Sequence, residues 1–342
     1  MNLLIGFLLI GMGSIGHVSS YRVLKKVTVW SWECTWFTHI LFSLLIFPFL
    51  AALLAIPNGH TLLELFSVPN EVIFGTILLG VGWGLGGLIF GLSLRYVGES
   101  FGHSVALGVC STFATILPAA IMGADLFTGK GLILLLAVSI GISGIFILSF
   151  AYQLHEKQVA KKKEFILDYS YGEGLFVAIL SGLMSACFGL GLVVAEPIRL
   201  HAIHLGTQPL YAGLASIVLI TVGGFIVNAF FSIYQNIAHK TTKDYFNVPA
   251  ATFMKNISFS AISGALWFLQ FFGLMMGKSF FSDGSVVEAF SWSILMALNI
   301  SFLTIFTIFK EKWLAVGIKP FLMVVVGLLV IFSSLFIVVR FN

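Results

Sequence analysis

The chain has 342 residues, 59% of them apolar and only 9% Asp, Glu, Lys or Arg, with a formal net charge of +4. Soluble domains carry about 25% charged residues, so a surface this poor in charge, at a mean hydropathy of +1.05, must largely face lipid. A water-soluble enzyme is excluded, and so is a nucleic-acid-binding domain, because the basic residues fall in short connectors between apolar runs, the pattern that encodes membrane topology.

A helix needs about 20 apolar residues to cross a bilayer. Ten stretches qualify, at 2–22, 32–56, 71–96, 101–123, 130–153, 173–199, 209–237, 250–277, 284–309 and 315–340. The runs are continuous rather than alternating, which predicts an all-α membrane protein and not a β-barrel. The first run has no basic stretch before it, so no cleaved signal peptide is expected. Segment 60–68, HTLLELFSV, is too short to span and is expected at the interface. Cys34, Cys110 and Cys187 are far apart and form no metal or disulfide spacing.

Fourteen of the eighteen lysines and arginines follow odd-numbered spans, against Lys130, Arg199, Lys278 and Arg340 elsewhere. That bias places the odd connectors in the cytoplasm and both termini on the outer side of the membrane. The longest polar connector divides the chain into a five-helix half at 1–153, a cytoplasmic connector at 154–172 and a second half at 173–342. Because five is odd, the halves run in opposite senses, and a shared fold makes them an inverted repeat of the kind used by transporters.

Polar residues inside spans are the functional candidates. His17 lies deep in the first span, one turn before Tyr21. The second opens on WSWECTWF (30–37), three tryptophans around Glu33, with Lys25 and Lys26 just before. Glu33 paired with either lysine is one reading; a gate latch, in which Glu33 meets Arg95 or a lysine when the inner side closes, is the other. In the third span LLGVGWGLGGLIFG sets Trp83 near mid-membrane among Gly80, Gly82, Gly84, Gly86 and Gly87. These glycines serve either close helix packing or a concavity beside an indole face able to hold a sugar ring.

Glu196 ends the sixth span before Pro197 and Arg199, where an interface salt bridge with Arg199 competes with a proton-coupling role. Asn228 in the seventh span and Asn299 in the ninth are deep, as interhelical hydrogen bonds or substrate contacts. The eighth span places Gln270 about 25 Å from its cytoplasmic end, with Trp267 one turn away on nearly the same face. The ninth opens SVVEAFSW, with Glu288 about 6–7 Å inside its edge and Ser291 and Trp292 one turn deeper. A carboxyl in a dry site has a raised affinity for protons, and Glu288 ranks first as a proton carrier, before His17, Glu33 and Glu196. No HExxH, GxSxG or Walker motif is present, and all four aspartates lie in connectors. An enzyme and an ATP-driven pump are therefore not expected; movement is passive or driven by an ion gradient.

KKVTVWSWECTW (25–36) resembles the signature of the bacterial L-rhamnose–proton symporter family, as do WGLGGLIFGLSLRYVGESFG (83–102), WFLQFF (267–272) and FSW (290–292), in family order across nearly the whole chain. The resemblance implies ten helices of the drug/metabolite transporter superfamily and sugar uptake coupled to protons, with no cofactor beyond the coupling ion. It implies a central site among the first, third, fourth, sixth, eighth and ninth helices. Two departures stand out. Gly87 replaces an expected polar residue, and VVAEPI carries an acid where a lysine or neutral residue is expected; either change points to a different sugar or coupling ion. The expected function is import of a 6-deoxyhexose, L-rhamnose first, with a proton. Aromatic rings would hold its apolar face while Gln270, Asn228 and hydroxyls bind its polar edge. The alternatives are an exporter of amphipathic metabolites or drugs, and a sugar-sensing membrane protein that moves nothing. The expected partners are the sugar and the bilayer; the sequence leaves the oligomeric state open, a monomer included.

Overall fold

A computed structural model describes residues 2–97, 99–121, 123, 125–160, 171–311 and 313–341, and the described residues are helical without a strand. Among the described residues ten helices are long and apolar enough to cross a membrane. They begin with Asn2–Leu24, a second span over Trp32–Ala55, Asn70–Val97, Glu99–Ile121 and Gly129–Ala160. The sixth span covers Gly172–His204, followed by Pro209–His239, Ala250–Lys278, Ser291–Glu311 and Ile318–Arg340. The fifth helix runs on through Ala160, so the connector expected from 154 starts as helix; Lys161, Lys162, Lys163 and Asp168 lie outside the described residues.

Two spans are irregular for reasons visible in the sequence. The second is α-helical over Trp32–Ile40, widens into a π-helix over Leu41–Ile46, and resumes at Phe47–Ala52. Pro48 has no N–H to give and its ring crowds the carbonyl one turn back, so the ladder before it must shift. The sixth is broken into Tyr171–Ser185, Cys187–Val194 and Glu196–His204. Pro197 forces the last break, and the Ser216 hydroxyl donates to the Ala195 carbonyl there at 3.2 Å.

Segment 60–68 does not span, as expected. It forms a single tight turn at Glu64–Phe66, and Leu65 is fully buried with Ala195, Ile198 and Ala202. The His201 ring contacts the Glu64 carbonyl at 3.0 Å, and His60 hydrogen-bonds the Glu64 carboxylate at 2.6 Å. That bond holds the Glu64 carboxyl below its ordinary 4.5.

The chain forms two compact units. One comprises 1–85 and 191–280; the other comprises 86–190 and 281–342. The chain passes between them within the third and sixth spans, so each unit takes helices from both ends of the sequence. Between apolar helices lipid offers no hydrophobic driving force, and close approach of backbones replaces it. In the first unit the first span meets the eighth glycine to backbone: a Cβ on Gly13 would stand 2.5 Å from the Leu269 carbonyl oxygen, and one on Gly273 would stand 2.4 Å from that of Leu9. The third span meets the seventh likewise, with Gly80 against Ile220 and Gly223 against Ile77, each at 2.2 Å. In the second unit Gly144 and Gly327 bring the fifth and tenth spans together. Ser293 of the ninth span joins Ser111 and Thr115 of the fourth, with hydroxyl oxygens 2.8 and 2.7 Å away.

Candidate functional site

The glycines around Trp83 divide between the two expected roles. Gly80, Gly84 and Gly86 are packing positions, whereas nothing lies within 4 Å of a Cβ on Gly87. Trp83 itself rests on the seventh span: a Cβ on Gly224 would approach its ring to 2.6 Å. Its indole lies 6.1 Å from that of Trp267 and 5.6 Å from Phe271, and Trp267 meets Phe271 at 5.2 Å. The two tryptophans read from the third and eighth spans therefore belong to one aromatic cluster. Both are half-buried.

Two imidazoles join it. His17 of the first span lies edge-on to Trp267 at 6.0 Å, with Tyr21 at 5.9 Å from His17, and His39 of the second lies edge-on to the same indole at 6.3 Å. His39 also meets Trp36 at 5.4 Å. The Trp36 indole N–H donates to Asn228 Oδ1 at 3.2 Å, and Asn228 Nδ2 donates to the Gly224 carbonyl at 3.0 Å. Asn228 thus bonds between helices and aims Trp36. Gln270 is buried and its Nε2 donates to the Trp267 carbonyl on its own helix at 3.1 Å.

His39 was not among the expected residues. Its signal was present, a titratable side chain well inside an apolar run, but the same run opens on Glu33 between Trp32 and Trp36, a stronger polar and aromatic pattern.

The WSWE segment is fastened to the same unit. Asn256 clamps Thr28 on both sides, accepting from its N–H at 3.2 Å and donating to its carbonyl at 2.8 Å. The Ser31 N–H donates to Asp244 at 3.3 Å. Between these clamps Val29 is held at φ 71°, a left-handed conformation that a β-branched residue rarely adopts. The Glu33 carboxylate is buried and pairs with His239 at the end of the seventh span. This corrects the expected partner, since Lys25 and Lys26 are exposed and Lys26 lies over the Phe259 ring. The Arg95 side chain lies outside the described residues. Tyr245 donates to the Cys34 carbonyl at 2.9 Å, and burial pushes its hydroxyl up to about 12, which keeps it a donor.

The remaining candidates lie in both units. Glu196 accepts two hydrogen bonds from Arg199 Nε, at 2.9 and 3.0 Å, and forms an ion pair with it. Glu288 departs from the expected depth. The ninth span starts at Ser291, and Glu288 sits before it in the single turn Val286–Ala289, where it accepts from the Gly284 N–H at 2.7 Å while its own N–H donates to Ser285. The sequence S-x-x-E at 285–288 is a capping pattern, and that local role sets its position. Trp292, Ser291 and Asn299 are buried in the second unit, Trp292 stacked on Phe188 at 4.6 Å.

Among the described residues no group of three His, Cys, Asp or Glu is placed to hold a metal. Ten spans, a broken sixth helix and a titratable aromatic cluster describe a carrier, and the whole-chain comparison gives its kind: the model of the L-rhamnose-proton symport protein (RhaT) family matches residues 1–340. The chain belongs to this family.

Relatives in the family are distant in sequence but match end to end. A protein of Mannheimia succiniciproducens named L-rhamnose-proton symporter is 29% identical over 335 residues, 96% of this chain and 95% of that one. Proteins of the same name from Cronobacter sakazakii and Klebsiella pneumoniae subsp. pneumoniae are each 29% identical over 325 residues, 94% of this chain and 92% of theirs. The resemblance seen in WSWE and WFLQFF thus extends over nearly the whole chain, and the relatives are named as symporters rather than enzymes, as the missing catalytic motifs led one to expect.

Proposed function

We propose that this chain imports L-rhamnose together with a proton across the bacterial inner membrane by alternating access. The observation that carries the reading is the joining of Trp83, Trp36, and Trp267 with Phe271, from three different stretches of sequence, into one aromatic cluster whose indoles are half-buried, in a chain of this family. Indole faces complement the C–H-rich face and methyl group of a 6-deoxyhexose, and a few fixed polar atoms beside them set its orientation.

The inverted repeat supports alternating access. In a five-plus-five repeat of 1–153 and 173–342, the second, fourth and fifth helices are equivalent to the seventh, ninth and tenth. Each of these pairs packs together within its unit. The third helix packs on the seventh through Gly80, and the equivalent contact of the eighth on the second is made by Gly264 against Phe42 and Ser43.

The test is uptake of a panel of labelled sugars into proteoliposomes, with and without an inward proton gradient. Accumulation of L-rhamnose above equilibrium only with the gradient, and sugar-induced alkalinisation of the medium, are expected. Equilibration without alkalinisation would refute coupling, and uptake of another sugar in its place would refute the substrate. Periplasmic labelling of cysteines introduced at both termini checks the orientation.

A further inference from the structure

We propose that His39 is the residue that takes up the transported proton, with the Trp267 indole as the surface on which proton and sugar meet. The inference rests on the symport reading above and assigns its chemistry to a residue.

The acids are committed elsewhere. Glu33 is paired with His239, Glu196 with Arg199, and Glu288 with backbone N–H at a helix cap outside the ninth span. His39 differs from all three. It is 1% exposed, inside a span, and its Nδ1 is buried with no hydrogen-bond partner among the described residues. A buried polar atom is normally bonded, and an exception inside an aromatic cluster points to a ligand.

The surroundings explain how such an imidazole could carry charge. The rings of Trp36 and Trp267 lie 5.4 and 6.3 Å away, within or near the distance at which an aromatic face attracts a cation. The π-helix over Leu41–Ile46 begins two residues on, and such local widening is frequent at functional sites.

The titratable and charged groups around it are few. His17 of the first span reaches Trp267 from its own helix, and Tyr245 is hydrogen-bonded beside Thr38. Glu33 with His239, and Cys34, lie more than one turn back toward the start of the second span. On the eighth span Lys255 is exposed, over Phe259.

Proton and sugar would then assist one another. A neutral imidazole offers one donor and one acceptor, whereas the imidazolium offers two donors. An imidazolium here needs an acceptor, and a sugar hydroxyl lying over Trp267 supplies it. Binding of each therefore favours the other, and the coupling is reciprocal.

The test is His39→Gln in proteoliposomes, read by L-rhamnose counterflow, which needs no gradient, and by accumulation and alkalinisation, which do. Counterflow retained within about threefold of wild type, with accumulation lost and the pH dependence of the sugar KM flattened, is expected. His17→Gln alters a neighbour in the same cluster and should weaken uptake while keeping sugar-induced alkalinisation. If His39→Gln still accumulates sugar and alkalinises the medium, or if His17→Gln alone abolishes coupling, the assignment to His39 is overturned while symport stands. If wild type shows counterflow without alkalinisation, the symport reading fails and the proton role with it. Should His39→Gln not fold, His39→Asn serves in the same assays, and coupled accumulation by it overturns the proposal. A folded variant that binds no sugar by tryptophan fluorescence overturns the proton role and leaves His39 a sugar contact alone.

Discussion

Replacing Gly224 with alanine tests whether the position of Trp83 matters for transport. The added Cβ would stand 2.6 and 2.8 Å from two ring carbons of Trp83. Ordinary carbon contact is about 3.5 Å, so the indole must retreat by about 0.9 Å. It cannot do so freely, because Trp267 and Phe271 pack on it at 6.1 and 5.6 Å. Overpacking of this kind costs about 1–3 kcal/mol, against about 1 kcal/mol gained by exchanging glycine for alanine in a helix. Gly87→Ala controls for that gain, since nothing lies within 4 Å of its added carbon. The two variants should therefore differ in unfolding free energy by about 1–3 kcal/mol, with Gly224→Ala the less stable. Tryptophan-monitored unfolding in detergent and L-rhamnose uptake read the two effects, and Gly224→Ala should raise the sugar KM at least tenfold. Equal stability of the pair, or an unchanged KM in Gly224→Ala, would refute the claim that this glycine seats the binding indole.

Glu33→Gln and His239→Gln should each destabilise by about 1 kcal/mol, because the carboxylate is buried but its partner is more than half exposed. The double variant should cost no more than the larger single effect, and additivity would show that the pair does not interact. Asn256→Ala removes both bonds that clamp Thr28 and should cost about 1–3 kcal/mol, measured in the same unfolding assay. Val29→Gly should be neutral or stabilise by up to about 1 kcal/mol, since relief of a left-handed β-branched residue, about 1–2 kcal/mol, exceeds the entropy lost to glycine. The turn at 60–66 has a sign fixed by its lowered carboxyl. Its stabilisation is complete above the ordinary Glu value of 4.5 and is lost as pH falls through the depressed value of Glu64. Amide exchange at 64–67 should therefore quicken in acid relative to the spans, and His60→Ala should move that onset to higher pH.

Some of the architecture was written in the sequence. Spans follow from the length and polarity of apolar runs, because every backbone group in lipid must bond within its own helix. That local rule made ten helices legible and put Trp83 and Trp267 on them at matching depth. Glu196 with Arg199 was legible for the same reason, three residues apart on one helix. The ninth span was misread at its start. Hydropathy sees SVVEAF as part of an apolar run, whereas the capping pattern at Ser285 and Glu288 and the break at Phe290 end one turn before another begins.

The sequence by itself determined that the chain carries ten runs long and apolar enough to cross a membrane and, through WSWE and its companions, to which family it belongs. Only the tertiary structure decided that Glu33 answers to His239, that Asn228 aims Trp36, and that His39 shares the Trp267 indole with His17. The reason is separation along the chain. These partners lie about two hundred residues apart or more, and their meeting depends on glycines that let whole helices touch backbone to backbone. No local pattern records which helix will lie across from which.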